Sequence, residues 1–158
     1  MIDYISGFLP CKHDPSKLQD GFVMAFDALG EKEWVCNRKL LVEGSYSSKI
    51  QLKSHTENLI YFTGNPVKFL QGHNLFGTND LRYLMNKFFD QLMTHEELGL
   101  CPDPFQIDNI RNGYYELTRV DVNETWHLNN EKEVLAWIRA VGESAYLKHR
   151  GAGQFSGD

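Results

Sequence analysis

Apolar residues keep two different spacings along this chain. In the first half they come in short runs rich in β-formers: Tyr4 to Leu9, Gly21 to Phe26, Leu40 to Tyr46, Ser48 to Lys53 and Leu59 to Phe62. Such runs predict strands, because β-branched and aromatic side chains pack well on a pleated surface. Pro10, Asp14-Pro15, Asp20-Gly21, Gly30, Gly44 and Gly64-Asn65-Pro66 fall between them as turn residues.

After Thr78 the spacing changes. Leu81, Leu84, Met85, Phe88, Phe89, Leu92 and Met93 recur at steps of three and four, which predicts a helix with one buried face. Thr78 is the expected N-cap, Asp80 places negative charge in the first turn, and Gly99 with Pro102 supplies a stop. Residues Tyr114 to Leu128 alternate again, as one long strand or two. Tyr115, Leu117, Arg119, Asp121 and Asn123 point one way and Glu116, Thr118, Val120 and Val122 the other. A second helix is predicted from about Asn130, with Glu133 as its capping-box partner, Val134, Leu135, Trp137, Ile138 and Val141 as its buried stripe, and Gly142 as a point of interruption.

Strands, helix, strand, helix, without regular βα alternation, predict an α+β domain with a mostly antiparallel sheet and helices packed on one face. Length and composition agree: 158 residues, 42% hydrophobic, suit one domain with a single core. The expected domain is 1–150, with 151–158 a loop running onward from a truncated piece. Tyr83, Phe88, Phe89, Trp126 and Trp137 read as core aromatics, and Trp34 and Tyr46 as candidates for contact with unpaired bases.

No run of eighteen apolar residues and no signal-peptide pattern occurs, so a cytoplasmic protein without membrane contact is expected. Three widely spaced cysteines, Cys11, Cys36 and Cys101, support neither a disulfide framework nor a zinc ribbon. A net charge of −5 argues against a generic nucleic-acid binder, so any contact with DNA has to be local. Arg38-Lys39, Lys49 with Lys53, Lys68, and Lys148-His149-Arg150 are the local basic groups, though charge alone favours scattered solvated side chains.

Three groups of residues have chemistry to offer. His73 and Asn74, in a Gly-His-Asn triplet before the strong helix, can bring an imidazole and an amide to a phosphate or a metal; the plainer reading is a histidine that only holds its loop. Arg119 and Asp121, two apart on a strand, stand roughly 6 to 7 Å apart along one sheet face. There Asp121 offers a hard oxygen to Mg²⁺ or Mn²⁺ and Arg119 a planar fork to phosphate, or the two form a surface ion pair. Tyr146 with Lys148 is a nucleophile setting, since a nearby cation favours phenolate; basic and aromatic residues at a helix end also arise without catalysis. Lys68, with Arg82 and Lys87, brackets the motif and can follow a DNA backbone, though a solvated helix face explains Arg82 and Lys87 equally well.

The segment Pro66-Val67-Lys68-Phe69-Leu70-Gln71-Gly72-His73-Asn74-Leu75-Phe76-Gly77-Thr78-Asn79-Asp80-Leu81 resembles the corresponding stretch of the filamentous-phage gene II replication protein family. The opening Met1-Ile2-Asp3 followed by Leu9-Pro10, and the strand Thr118-Arg119-Val120-Asp121, are similar to it in order and spacing. The resemblance covers most of this chain but only the first part of the family's longer protein. It implies a rolling-circle-initiator-like fold and a site-specific endonuclease and strand transferase acting on single-stranded or hairpin plus-strand origin DNA. A divalent metal, Mg²⁺ or Mn²⁺, and a tyrosine that becomes linked to the 5′ end are implied with it. The histidine pair flanking a hydrophobic residue, common in such initiators, is absent here. The expected site has His73 and Asp121 as metal ligands, Lys68, Asn74 and Arg119 on DNA, and Tyr146 with Lys148 at the reacting phosphate. Two other readings stay open: a non-catalytic origin-binding module, and a domain that recruits a host helicase or polymerase.

Overall fold

A computed structural model of the chain describes residues 1–124 and 126–144, together with the backbone of 146–147 and 151–152. Contacts divide the chain into two compact units, 1–123 and 124–158. Among the described residues no helix is long and apolar enough to cross a membrane.

The first unit is built on a five-stranded antiparallel sheet: β1 (Ile2–Pro10), β4 (Leu40–Glu43), β5 (Lys49–Thr56), β6 (Leu59–Gly64) and β7 (Glu116–Val122), in the order β4-β5-β6-β1-β7. The hairpin of β2 (Phe22–Phe26) and β3 (Lys32–Asn37) forms a separate two-stranded sheet. Alternation assigns Ile5 and Leu9 of β1, Val42 of β4, Ile50 and Leu52 of β5, and Ile60 and Phe62 of β6 to one face, and all are buried. Three helices, α1 (Pro66–Gln71), α2 (Leu81–Met93) and α3 (Pro104–Asn112), contribute Phe69, Leu84, Met85, Phe88, Phe89, Leu92 and Ile110 to the same core. The Phe88 ring lies 5.5 Å from Phe62 and 5.7 Å from Phe69, and burying such a side chain is worth about 1.5–3 kcal/mol. The fold is thus α+β, with a mostly antiparallel sheet and these helices on one face.

Several elements differ from their sequence expectation. The run Leu40 to Tyr46 leaves the sheet at Glu43 and tightens into a turn, where Tyr46 is left-handed (φ 50°, ψ 49°) and exposed. The hairpin strand β3 is not foreseen from its residues, as Lys32, Glu33 and Asn37 dilute the β-formers in it. Gly64-Asn65-Pro66 reads as a turn, yet Asn65 caps α1 by accepting from the Lys68 N–H, with Pro66 in the first turn, where its missing N–H costs nothing. Helix α3 begins just past the supposed stop at Pro102, on a capping box between Asp103 and Gln106. Asp80, not Thr78, caps α2, and Tyr83 and Met93 are exposed on its outer side.

In the second unit, α4 (Glu131–Ser144) starts where the sequence predicts: Asn130 accepts from the Glu133 N–H and the Glu133 carboxylate accepts from the Asn129 N–H. It continues through Gly142 without interruption. Its expected buried stripe is instead exposed, from 38% at Val141 to 46% at Trp137, and Trp126 is exposed as well. Two short strands follow, β8 (Tyr146–Leu147) paired antiparallel with β9 (Gly151–Ala152).

Candidate functional site

The other face of the sheet is polar. Across four neighbouring strands one row of paired residues runs Gln51, Thr63, Ser6, Arg119, and the next along β1 pairs Tyr4 with Asp121. Ser6 and Thr63 are both buried, with their hydroxyl oxygens 2.5 Å apart, and the Tyr4 hydroxyl reaches Thr63 Oγ1 at 3.0 Å. Arg119 spreads its guanidinium over the Tyr4 ring, 4.8 Å from the centroid. It donates twice to Asp121, from Nε at 2.8 Å and from its terminal nitrogen at 2.6 Å. That fork holds the Asp121 carboxyl below the usual carboxylate range, first through the hydrogen bonds and then through charge, and raises the Arg119 guanidinium in turn.

A bulge puts Arg119 on this face. Ser6 pairs with Arg119 but Gly7 pairs with Leu117, so Thr118 is the extra residue. Leu117, expected beside Arg119, therefore packs against the core, and Val120 rather than Leu117 continues the alternation opposite Ile5. Gly7 is required here: a Cβ on it would lie 2.1 Å from the Glu116 carbonyl oxygen.

The Gly-His-Asn loop is fastened at the start of β1. Helix α1 ends on Gly72 in the left-handed region (φ 83°), where a Cβ would sit 2.3 Å from the Tyr46 ring. Beyond it, Gln71 Nε2 donates to the carbonyls of His73 and Phe76, and the Ile2 N–H donates to the Thr78 carbonyl. Asn74 Nδ2 donates to Asp3 Oδ1 at 2.9 Å, and Asn65 Nδ2 donates to the same oxygen at 2.5 Å. Asp3 is itself the extra residue of a second bulge, between the pairs Ile2 with Val122 and Tyr4 with Asp121. The loop thus joins β1 one residue before the tyrosine that carries Arg119.

Of the residues selected from sequence, Asn74, Arg119 and Asp121 lie around this end of β1. His73 is exposed, edge-on to Phe76 and beside the Gln71 amide. Lys68 is exposed on α1. The Tyr146 side chain and Lys148 lie outside the described residues. Among those described, no three His, Cys, Asp or Glu side chains are grouped to hold a metal, and both Asp121 oxygens are engaged by Arg119. Sequence reasoning missed Asp3, Tyr4, Ser6, Thr63 and Asn65. The available signal was the alternation Tyr4, Ser6, Phe8 against Ile5, Gly7, Leu9, which marks a strand with one polar face.

A family described as the N-terminal part of a phage replication-associated protein, the gene II protein, matches residues 1–158. The replication-associated protein of that type from Enterobacteria phage I2-2 is 34% identical over 158 residues, an overlap that covers 94% of this chain and 44% of that protein. The chain therefore spans less than half the length of this relative. No solved structure matches it. The chain belongs to the family formed by the N-terminal part of the phage replication-associated gene II protein.

Proposed function

We propose that this part of a phage replication protein engages the plus-strand origin and takes part in cutting and rejoining one DNA strand. The observation that carries the reading is the Arg119 fork, flat on Tyr4 and held by Asp121, at the end of the sheet where Asn74 fastens its loop to Asp3. A guanidinium already paired with a carboxylate can exchange that partner for the two oxygens of a phosphodiester, which present the same spacing. Asn74 and Lys68 then meet neighbouring phosphates from the loop and α1.

In the cutting step, the Tyr146 oxygen attacks the phosphorus and forms a P–O bond. The bond to the 3′ oxygen breaks, that oxygen takes up a proton, and the 5′ phosphate stays on the tyrosine. Attack by a 3′ hydroxyl on the phosphotyrosine reverses the exchange and rejoins the strand. Lys148 assists by favouring phenolate over phenol. Mg²⁺ needs only one or two protein carboxylates when phosphates supply further oxygens, so Asp121, once the phosphate has taken Arg119 from it, would offer one oxygen in company with DNA rather than a closed protein site, with His73 as the second candidate ligand. Bound there, it stabilises negative charge on the phosphoryl oxygens.

The test is incubation of the chain with Mn²⁺ and single-stranded origin DNA from its own phage, followed by a denaturing gel. A labelled band of protein joined to DNA, lost in Tyr146→Phe, is expected. Binding without attachment would leave an origin-recognition module. No salt-sensitive binding would instead point to recruitment of host replication proteins, for which the exposed Phe22, Phe26 and Trp34 of the β2–β3 hairpin speak.

A further inference from the structure

The polar sheet face continues away from Arg119 into an aromatic patch that the cutting chemistry does not use. Phe8 of β1 and Tyr61 of β6 are directly paired on adjacent central strands, with ring centroids 5.4 Å apart. His55, the extra residue of a bulge in β5, stands edge-on to Phe8 at 5.1 Å and is exposed. Lys53 pairs with Tyr61 from the other side, and the Lys39 ammonium sits 4.9 Å over the Tyr61 ring. These side chains line a shallow cavity of about 310 Å³.

Three features set this patch apart from ordinary surface. Phe8 and Tyr61 keep their rings on the solvent side of the sheet, although their neighbours Leu9, Ile60 and Phe62 are buried in the core. Two lysines and a histidine border the rings, while the acid on the same row, Glu116, stands across Phe8 on the edge strand. Finally, the row lies one step along β1 from the one holding Ser6 and Arg119, so a strand gripped by Arg119 would pass over these rings. Flat π-faces beside cations suit unpaired bases joined by phosphates, and a duplex, whose bases are stacked on each other, gives them nothing to hold.

We infer that Phe8, Tyr61 and His55, flanked by Lys39 and Lys53, form a stacking platform that holds unpaired bases of single-stranded DNA next to the Arg119 site. This rests on the reading that the chain handles DNA, and it adds the path of the strand. Stacking makes binding tolerant of sequence, whereas the two lysines make it sensitive to salt.

The experiment measures binding of a fluorescent, unstructured, non-origin oligonucleotide by anisotropy, without metal, so that cutting does not enter. Phe8→Leu with Tyr61→Leu should weaken binding by about tenfold or more and leave any weak duplex binding unchanged. Lys39→Ala with Lys53→Ala, both solvent-side changes that spare the fold, should lower the dependence of log K on log salt by roughly 0.7 for each lysine. Thermal melts confirm that each variant is folded. If both double variants bind single strands as tightly as the parent chain, the platform is refuted, while attachment to origin DNA still decides the cutting reading. If the parent chain itself ignores single strands, the platform is refuted as well, and the origin assay again judges the cutting proposal on its own.

Discussion

The two faces of the central sheet are made by the same strands and differ in almost every other respect. On one, Ile5, Leu52, Ile60 and Phe62 meet three helices and are sealed from water. On the other, the residues between them, Tyr4, Ser6, Phe8, Tyr61 and Thr63, present hydroxyls and rings, and the Arg119–Asp121 ion pair lies beside Tyr4. The first face provides stability through buried area, and the second is held in shape by hydrogen bonds while offering groups to a ligand. Core residues and candidate-site residues therefore occupy alternate positions of one stretch of sequence, and a change at one residue should affect one face and spare the other.

The strongest way to test this division is on the covered side. Phe88→Ala removes a ring that touches Phe62 and Phe69, and should cost about 3–5 kcal/mol in urea unfolding, enough to bring a domain of this size near its limit. Arg119→Ala, on the open side, should leave the urea midpoint essentially in place yet reduce attachment to origin DNA by about a hundredfold, the usual effect of removing one donor to a reacting phosphate. A loss of folding in that variant would break the division. Thr63→Val sharpens it: the Tyr4 and Ser6 hydroxyls lose a shared partner in a buried position, at a cost of about 1 kcal/mol.

Two chemical readouts have smaller effects. Cys11, fully buried with its thiol pushed up to about 12, chiefly by burial, should resist a thiol reagent that labels the exposed Cys36 and Cys101. For Asp121 the folded-state pKa is depressed, so its contribution is complete above the ordinary carboxylate value of about 3.9 and is lost as pH falls through the lower folded value. An NMR titration should find the Asp121 midpoint below that of a free aspartate, and Arg119→Ala should move it back up. An unshifted midpoint in the parent chain would mean that the fork is not formed in solution.

Much of the covered face was legible in the sequence, because period and burial coincide there. Leu84, Met85, Phe88, Phe89 and Leu92 fall on one side of a helix in both sequence and structure. Short helices were not legible: six residues in α1 and nine in α3 are too few for a period, and the cap of α1 looked like a turn because Asn and Pro serve both purposes. The stripe on α4 has the right spacing but little covering among the described residues, since amphipathic spacing marks a face fit for burial without supplying what buries it. At the candidate site, Arg119, Asp121 and Asn74 could be selected by chemical type. Tyr4 and Asp3 could not, because their part depends on pairing between β1 and β7, which lie more than a hundred residues apart in the chain.

The extra residue at Thr118 has a consequence for how this protein can change over evolutionary time. Deleting it would leave every other letter of that edge strand unchanged, yet it would turn either the arginine and aspartate towards the helices or the leucine before them towards solvent. A lineage that lost or gained one residue at this point would exchange inside for outside along part of the strand, so the number of residues across this segment constrains the two faces as much as their identity does.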